Sequence, residues 1–387
     1  MVTLGTDRIS EFSHLFEKKR LAIVVNQASL NSSLLDTYSV FVQAGFQVTT
    51  LFGPQHGLFG HTQDNMIEWQ GDEYEKKNVR IHSLYGEHRK PTPEMLSETD
   101  VIVFDVPDVG ARYYTFIWTL ALLMEAAAEH HKKIVVLDRP NPLGGESIEG
   151  PMLDTEFSSF VGLYPLINRH GLTIGEVARW LQKYHIQEVD LEVIPMKGWQ
   201  RSDWYDQSGL KWIMPSPNMP ALSTATVYPG QCLLEATNIS EGRGTTRPFE
   251  IFGAPWIDNE KMCDFLNINC PGATFQPWFF EPTFHKFERT LCRGAFIHVT
   301  DRLLYQSVAT TMTILSYLFN TYPEKFEFKA PPYEYEYEKM PFDILMGSDR
   351  WRSELSSGIR PAYKWSELWR DDEREWREFR EEFLLYS

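Results

Sequence analysis

Residues 101–114 read VIVFDVPDVGARYY, four apolar positions in a row and then a polar loop carrying two aspartates, an arginine and two tyrosines. A run that is apolar at every position, not at every second one, suits a strand buried on both faces of a parallel sheet. With this strand placed at 101–106, similar short runs stand at 21–26, 46–52, 80–84, 133–137 and 191–195. Between them, 33–44, 92–96, 116–130 and 173–184 carry helical spacing. Two of these announce their starts: Thr92 precedes Pro93, and Thr173 with Glu176 forms an S/T-x-x-E capping box. Strand and helix in alternation predict an α/β fold, a Rossmann-like parallel sheet with helices on both faces.

Past residue 198 the rhythm gives way to Pro- and Gly-rich loops, a strand at 294–299, a helix near 305–319 and a charged helix from Trp365. This predicts a smaller α+β C-terminal domain. At 387 residues the chain exceeds the roughly 250–300 over which one core usually grows. The expected division is 1–198 and 199–387, with the active-site cleft between them. The charges at 369–382 sit at three- and four-residue spacing, the pattern of a solvated helix face.

Composition excludes several partners. With 37 Lys and Arg against 53 Asp and Glu, the net charge of −16 disfavours nucleic acid and anionic lipid. The four cysteines, Cys232, Cys263, Cys270 and Cys292, lack ligand spacing and read as free or buried thiols, so no metal site is expected. No apolar run is long enough to span a bilayer. The opening residues contain no apolar signal-peptide stretch. A cytoplasmic location is expected for the chain as it stands, and a periplasmic or secreted one if a signal has been removed.

Ligands of open parallel sheets bind beyond the strand carboxyl ends. Here those ends are polar: Asn26 after the first strand, Gln55 and His56 after the second, Asp105, Arg112 and Tyr113 after the fourth, and Asp138, Arg139 and Asn141 after the fifth. No G-x-G-x-x-G follows a strand and no P-loop occurs, so no nucleotide cofactor is expected. A G-x-S-x-G nucleophile elbow is also missing. Carboxylates among amides and guanidinium groups remain, and these point to sugar chemistry. The facing wall is expected from 234–248, which holds Glu235, Asn238, Glu241 and Arg243 among glycines, and from Asn218 between prolines.

The segments GPQHG, SLYGEHRKPTPEML, VFDVPDVGARYYT, LDRPNPLGG with Glu149, FVGLYP, RHGLTIGE with His170, PSPNMP and ATNISEGRGTTRPFE occur in the order in which the NamZ-type exo-β-N-acetylmuramidases carry similar ones. The resemblance spans essentially the whole chain. It implies a cofactor-free glycosidase that removes a non-reducing terminal N-acetylmuramic acid, β-1,4-linked to N-acetylglucosamine, from a muropeptide or amino-sugar oligosaccharide. One position departs. Where the family usually reads P-E-H-G, this chain has Gln55, and an amide cannot exchange a proton as a carboxyl can.

Three consequences stand open: an altered mechanism through Glu241, Glu149 or Asp105, a different sugar, or an amino-sugar-binding protein without turnover. Glu241 is the expected general acid, with Glu149 and Glu235 behind it and His56 as an alternative proton carrier. Gln63, Asp64, Asn65 and Glu68 offer substitutes, and Glu125 ranks below Glu241. Arg243, ahead of Arg112, is expected to hold the lactyl carboxylate of muramic acid.

Overall fold

The computed structural model describes residues 1–61 and 79–387. The N-terminal half comprises β1 (Arg20–Val24), α1 (Thr37–Gln43), β2 (Gln47–Gly53), β3 (Arg80–Ser83), β4 (Val101–Phe104), α2 (Phe116–Glu129), β5 (Lys133–Leu137), β6 (Glu149–Met152), β7 (Ile167–Arg169), α3 (Ile174–Tyr184) and β8 (Asp190–Ile194). Six of these strands make one sheet in the order β3-β2-β1-β4-β5-β8, every pair parallel. This is the order of a doubly wound Rossmann sheet, so the expected fold class holds.

Apolar residues at successive positions along the inner strands supply two cores. Ala22, Val24, Phe52, Ile102, Phe104, Ile134 and Val136 face α2 and α3. Their alternates Leu21, Ile23, Leu51, Val101, Val103, Val135 and Leu137 face Phe16 and Phe41 on the other side. The capping box at α3 is formed as expected, with Thr173 and Glu176 each satisfying the other's backbone.

Among the strands and helices of the N-terminal half, two depart from expectation. Residues 93–98 form successive turns instead of a helix. The antiparallel pair β6-β7 has no counterpart among the expected strands; β6 contains Gly150 and Pro151, which weaken any strand signal.

The C-terminal half holds α4 (Leu222–Gln231), β9 (Ile251–Ala254), α5 (Asn259–Asn269), β10 (Ala273–Phe280), β11 (Cys292–Val299), α6 (Ser307–Thr321), α7 (Pro341–Met346), α8 (Arg350–Leu355), α9 (Ala362–Leu368) and α10 (Arg370–Arg380). Its sheet is antiparallel, β10-β11-β9. Helices α4 and α6 meet at Gly230, where a Cβ would lie 1.9 Å from the Ser307 carbonyl oxygen. Among the described residues, no helix is long and apolar enough to cross a membrane.

The charged helix α10 is more than a solvated face. Trp376 and Arg380 are buried, and their side chains donate to the carbonyls of His170 (3.0 Å) and Gly171 (3.2 Å) in the N-terminal half. Glu373 and Asp372 accept from the Gly150 and Met152 amides along β6. The opposite-charge spacing sets the outer face, while the inner face closes the edge of the β6-β7 pair.

Candidate active site

A pocket opens where loops of the two halves meet. Gln55 and His56 reach it from the turn after β2, Tyr113, Tyr114 and Thr115 from the loop after β4, and Ser216 and Asn218 from the proline-framed linker. Tyr228 of α4, Glu235, Arg243, Phe249, Tyr333 and Glu334 complete it. Tyr228 stands edge-on to Tyr113, Tyr114 and Phe249, with centroids 5.9, 5.7 and 4.9 Å away, giving a rigid aromatic wall. Of the residues expected from sequence, Gln55, His56, Tyr113, Asn218, Glu235 and Arg243 are brought together here.

Two carboxyl groups line this cavity in contrasting settings. Glu235 receives the Arg243 guanidinium at 2.7 Å on one oxygen and the Tyr333 hydroxyl at 2.6 Å on the other. Burial favours its neutral form, but Arg243 and Tyr333 outweigh burial and hold its carboxyl below the usual range. The second acid, Glu334, comes from the far end of the chain. Its oxygens accept from the Tyr85 hydroxyl at 2.9 Å and the Gln55 amide at 3.3 Å. Burial, reinforced by the negative charge of Glu235, pushes its carboxyl up to about 7. The Thr115 hydroxyl donates to the Gln55 oxygen at 2.5 Å, which turns the amide nitrogen toward Glu334.

Glu334 is absent from the candidates that the sequence offers. It sits in PPYEYEYEKM, residues 331–340, where Tyr and Glu alternate as on an exposed strand. The structure makes a tight turn there, with Tyr333 and Glu336 bonded through their backbones. Both central residues have positive φ, 46° at Glu334 and 65° at Tyr335, where Asn or Gly is the usual occupant. The alternation carries no signal of that turn.

The other expected residues among those described lie outside this lining, and each makes contacts within the protein. Glu241, expected as the general acid, is fully buried behind Arg243 and outside the cavity lining. Lys286 donates to it at 2.8 Å, while His285 and Arg243 lie 3.3 and 3.4 Å away. Against burial, Lys286 and His285 hold its carboxyl well below the usual range and favour its ionised form. Glu149 lies at the start of α6 and accepts from the Ala309 amide at 2.9 Å, a helix-terminal cap joining the two halves. Arg112 is completely buried and donates to the carbonyls of Leu166 and Leu345, both at 2.6 Å. Its guanidinium is thus spent on backbone carbonyls and is absent from the pocket lining.

Asp105 and Arg139 pair at 2.5 and 2.8 Å at the sheet edge, and Thr6 and Thr37 also donate to Asp105. Asp138 accepts from the Gly175 amide and Thr173 hydroxyl at the start of α3. Asn141 bridges Leu172 and Leu143, His170 lies 3.3 Å from Asp108, and Asn26 fixes the linker at Pro215. Asn238 ties Lys325 to Glu327, and Glu125 pairs with Lys90. Gln63, Asp64, Asn65 and Glu68 lie outside the described residues. A strand-end rule finds polar loops, but it does not distinguish those that meet a ligand from those that tie the loops together.

Residues 21–223 match the N-terminal domain of exo-β-N-acetylmuramidase NamZ, and 226–386 match its C-terminal domain. The chain is 42% identical over 365 residues to the peptidoglycan β-N-acetylmuramidase NamZ of Bacillus subtilis (strain 168), covering 92% of this chain and 85% of that protein. Two crystal structures of DUF1343 family proteins from Bacteroides fragilis NCTC 9343 share the fold. They superpose with TM-scores of 0.88 and 0.77 at 31% and 27% identity, each over 100% of this chain and 99% of the other. The chain belongs to the NamZ exo-β-N-acetylmuramidase family.

Proposed function

We propose that this chain is an exo-acting glycosidase that hydrolyses the β-1,4 bond after a non-reducing terminal N-acetylmuramic acid in peptidoglycan fragments. The observation that carries the reading is the placing of two buried carboxyl groups, Glu235 and Glu334, in one cavity beside an aromatic wall. Sugar rings present apolar faces to aromatic side chains and hydroxyls to polar groups such as amides and imidazole. The wall of Tyr113, Tyr228 and Phe249 fits the first, and Gln55, Asn218 and His56 fit the second. Glu235, kept ionised by Arg243 and Tyr333, is suited to face the positive charge that develops at the anomeric carbon.

Incubation with an aryl β-N-acetylmuraminide tests the proposal. Release of the aryl group, faster than from the matching β-N-acetylglucosaminide, is the expected result. A second reading is favoured by one observation, the amide at Gln55: a protein that binds an amino sugar without turnover. Saturable binding with no release would select it.

A further inference from the structure

We propose that Glu334 is the proton donor of this site, presented to the glycosidic oxygen by the turn at 333–336 and oriented by the Gln55 amide and the Tyr85 hydroxyl. The inference rests on the glycosidase reading above and deepens it. Four observations converge on this residue.

Glu334 lines the same cavity as Glu235, whereas Glu241 and Glu149 do not. Its side chain is buried and meets two donors, one of them the amide at position 55. Its backbone and that of Tyr335 occupy the left-handed region, which costs energy for residues with a side chain and is enriched at functional sites. The same turn brings the Tyr333 hydroxyl to Glu235, so one short segment positions both acids.

The groups facing Glu334 come from every side of the cavity: Tyr85 after β3, Gln55 after β2, and Glu235 and Arg243 from the C-terminal half. Burial and the Glu235 charge favour its protonated form, while Tyr85, Gln55 and Arg243 oppose them. The balance leaves a carboxyl that titrates near neutrality, beside a second that remains ionised. Gln55 is then a positioning residue: its amide occupies space next to the acid without competing for the proton.

In the reaction, the bond between the anomeric carbon and the glycosidic oxygen breaks, its electron pair staying on that oxygen. The oxygen takes the proton of Glu334. Water supplies the new anomeric hydroxyl, and the proton it releases recharges the carboxyl directly or through solvent. Protonation matters most when the leaving group is a poor one, which makes the role measurable.

The test compares wild type, Glu334→Gln and Gln55→Glu on a dinitrophenyl muraminide, a good leaving group, and on the disaccharide N-acetylmuramyl-N-acetylglucosamine, a poor one. Glu334→Gln is expected to lose at least about 100-fold in kcat on the disaccharide and under about 10-fold on the aryl glycoside, and to lose the basic limb of the kcat–pH profile. Gln55→Glu adds a second carboxyl beside Glu334, so its basic limb should move to higher pH. Circular dichroism and melting of each variant establish folding. If Glu334→Gln melts early, the Gln55→Glu profile decides, and an unmoved limb overturns the proposal. Equal losses of Glu334→Gln on both substrates, with the limb retained, overturn it as well. A wild-type chain that cleaves neither substrate overturns the glycosidase reading and this proposal together.

Discussion

Replacing Glu241 by Gln removes the carboxylate that Lys286 meets at 2.8 Å while leaving the ammonium group buried among the Leu234 and Ile239 carbonyls. Breaking a buried ion pair from one side costs about 3–5 kcal/mol, so the expected outcome is a clear loss in urea-unfolding stability. The ratio of kcat between good and poor leaving groups should stay that of wild type. A changed ratio with unchanged stability would return Glu241 to the role of acid. Arg243 poses a similar question. Its guanidinium donates to Glu235 and lies near Glu241, a placing that suits support of the ionised acid as well as a clamp for a lactyl group. Arg243→Ala should lower kcat by about 100- to 1000-fold with KM little changed; a loss confined to KM would instead favour the lactyl role. At this scale the sequence displays which residue types converge, and Gln55, His56, Asn218, Glu235 and Arg243 do share the cavity. It does not display pairing. Glu241 and Glu235 lie in one polar segment, and only the position of Lys286, some forty-five residues on, separates a framework ion from a cavity acid.

Elements are more legible than residues because buried strands advertise themselves by continuous apolar runs. The strand expected at 133–137 is β5, and that expected at 191–195 shifts by one residue to β8. Elements held by distant partners leave weaker traces. β6 is a four-residue strand whose Glu149 reaches the start of α6, a contact between positions 160 apart. That contact defines a prediction. Glu149→Ala removes the acceptor at the α6 N-terminus and should cost about 1–3 kcal/mol in unfolding free energy. Glu149→Gln keeps an acceptor oxygen. Burial already pushes the Glu149 carboxyl up to about 7, so exchange for a neutral amide should be tolerated. Both variants should hydrolyse the muraminide with wild-type kcat below their melting temperatures. A selective loss of kcat in folded Glu149→Gln would show that its carboxyl takes part in the chemistry.

Across the whole molecule, buried carboxyl groups give stability a definite dependence on pH. Asp138, Glu149, Glu334 and Glu373 are all raised to about 7, in each case chiefly by burial. In the unfolded chain such groups titrate near about 4, so between roughly pH 4 and 7 the native state holds protons that the unfolded state has released. Their contribution is complete below the unfolded values and is lost as pH rises through about 7. Glu235 and Glu241 have the opposite sign, but their lowered values place that loss in acid, below the usual carboxylate range. His185, held down by burial, also works against stability as it becomes protonated. The melting temperature should therefore be highest in mildly acidic buffer and fall steadily from about pH 5.5 to pH 8. The net charge of −16 adds self-repulsion in the same direction, but salt screens a surface field far more than it relieves a buried carboxylate. Repeating the series in high salt separates the two causes: a slope that persists belongs to the buried acids, and one that vanishes assigns the effect to surface charge. The buried acids span both halves, with Asp138 near the α3 cap and Glu373 on the C-terminal helix that closes β6. Their ionisation should thus lower one shared transition, and calorimetry that resolves two transitions moving apart with pH would contradict that coupling.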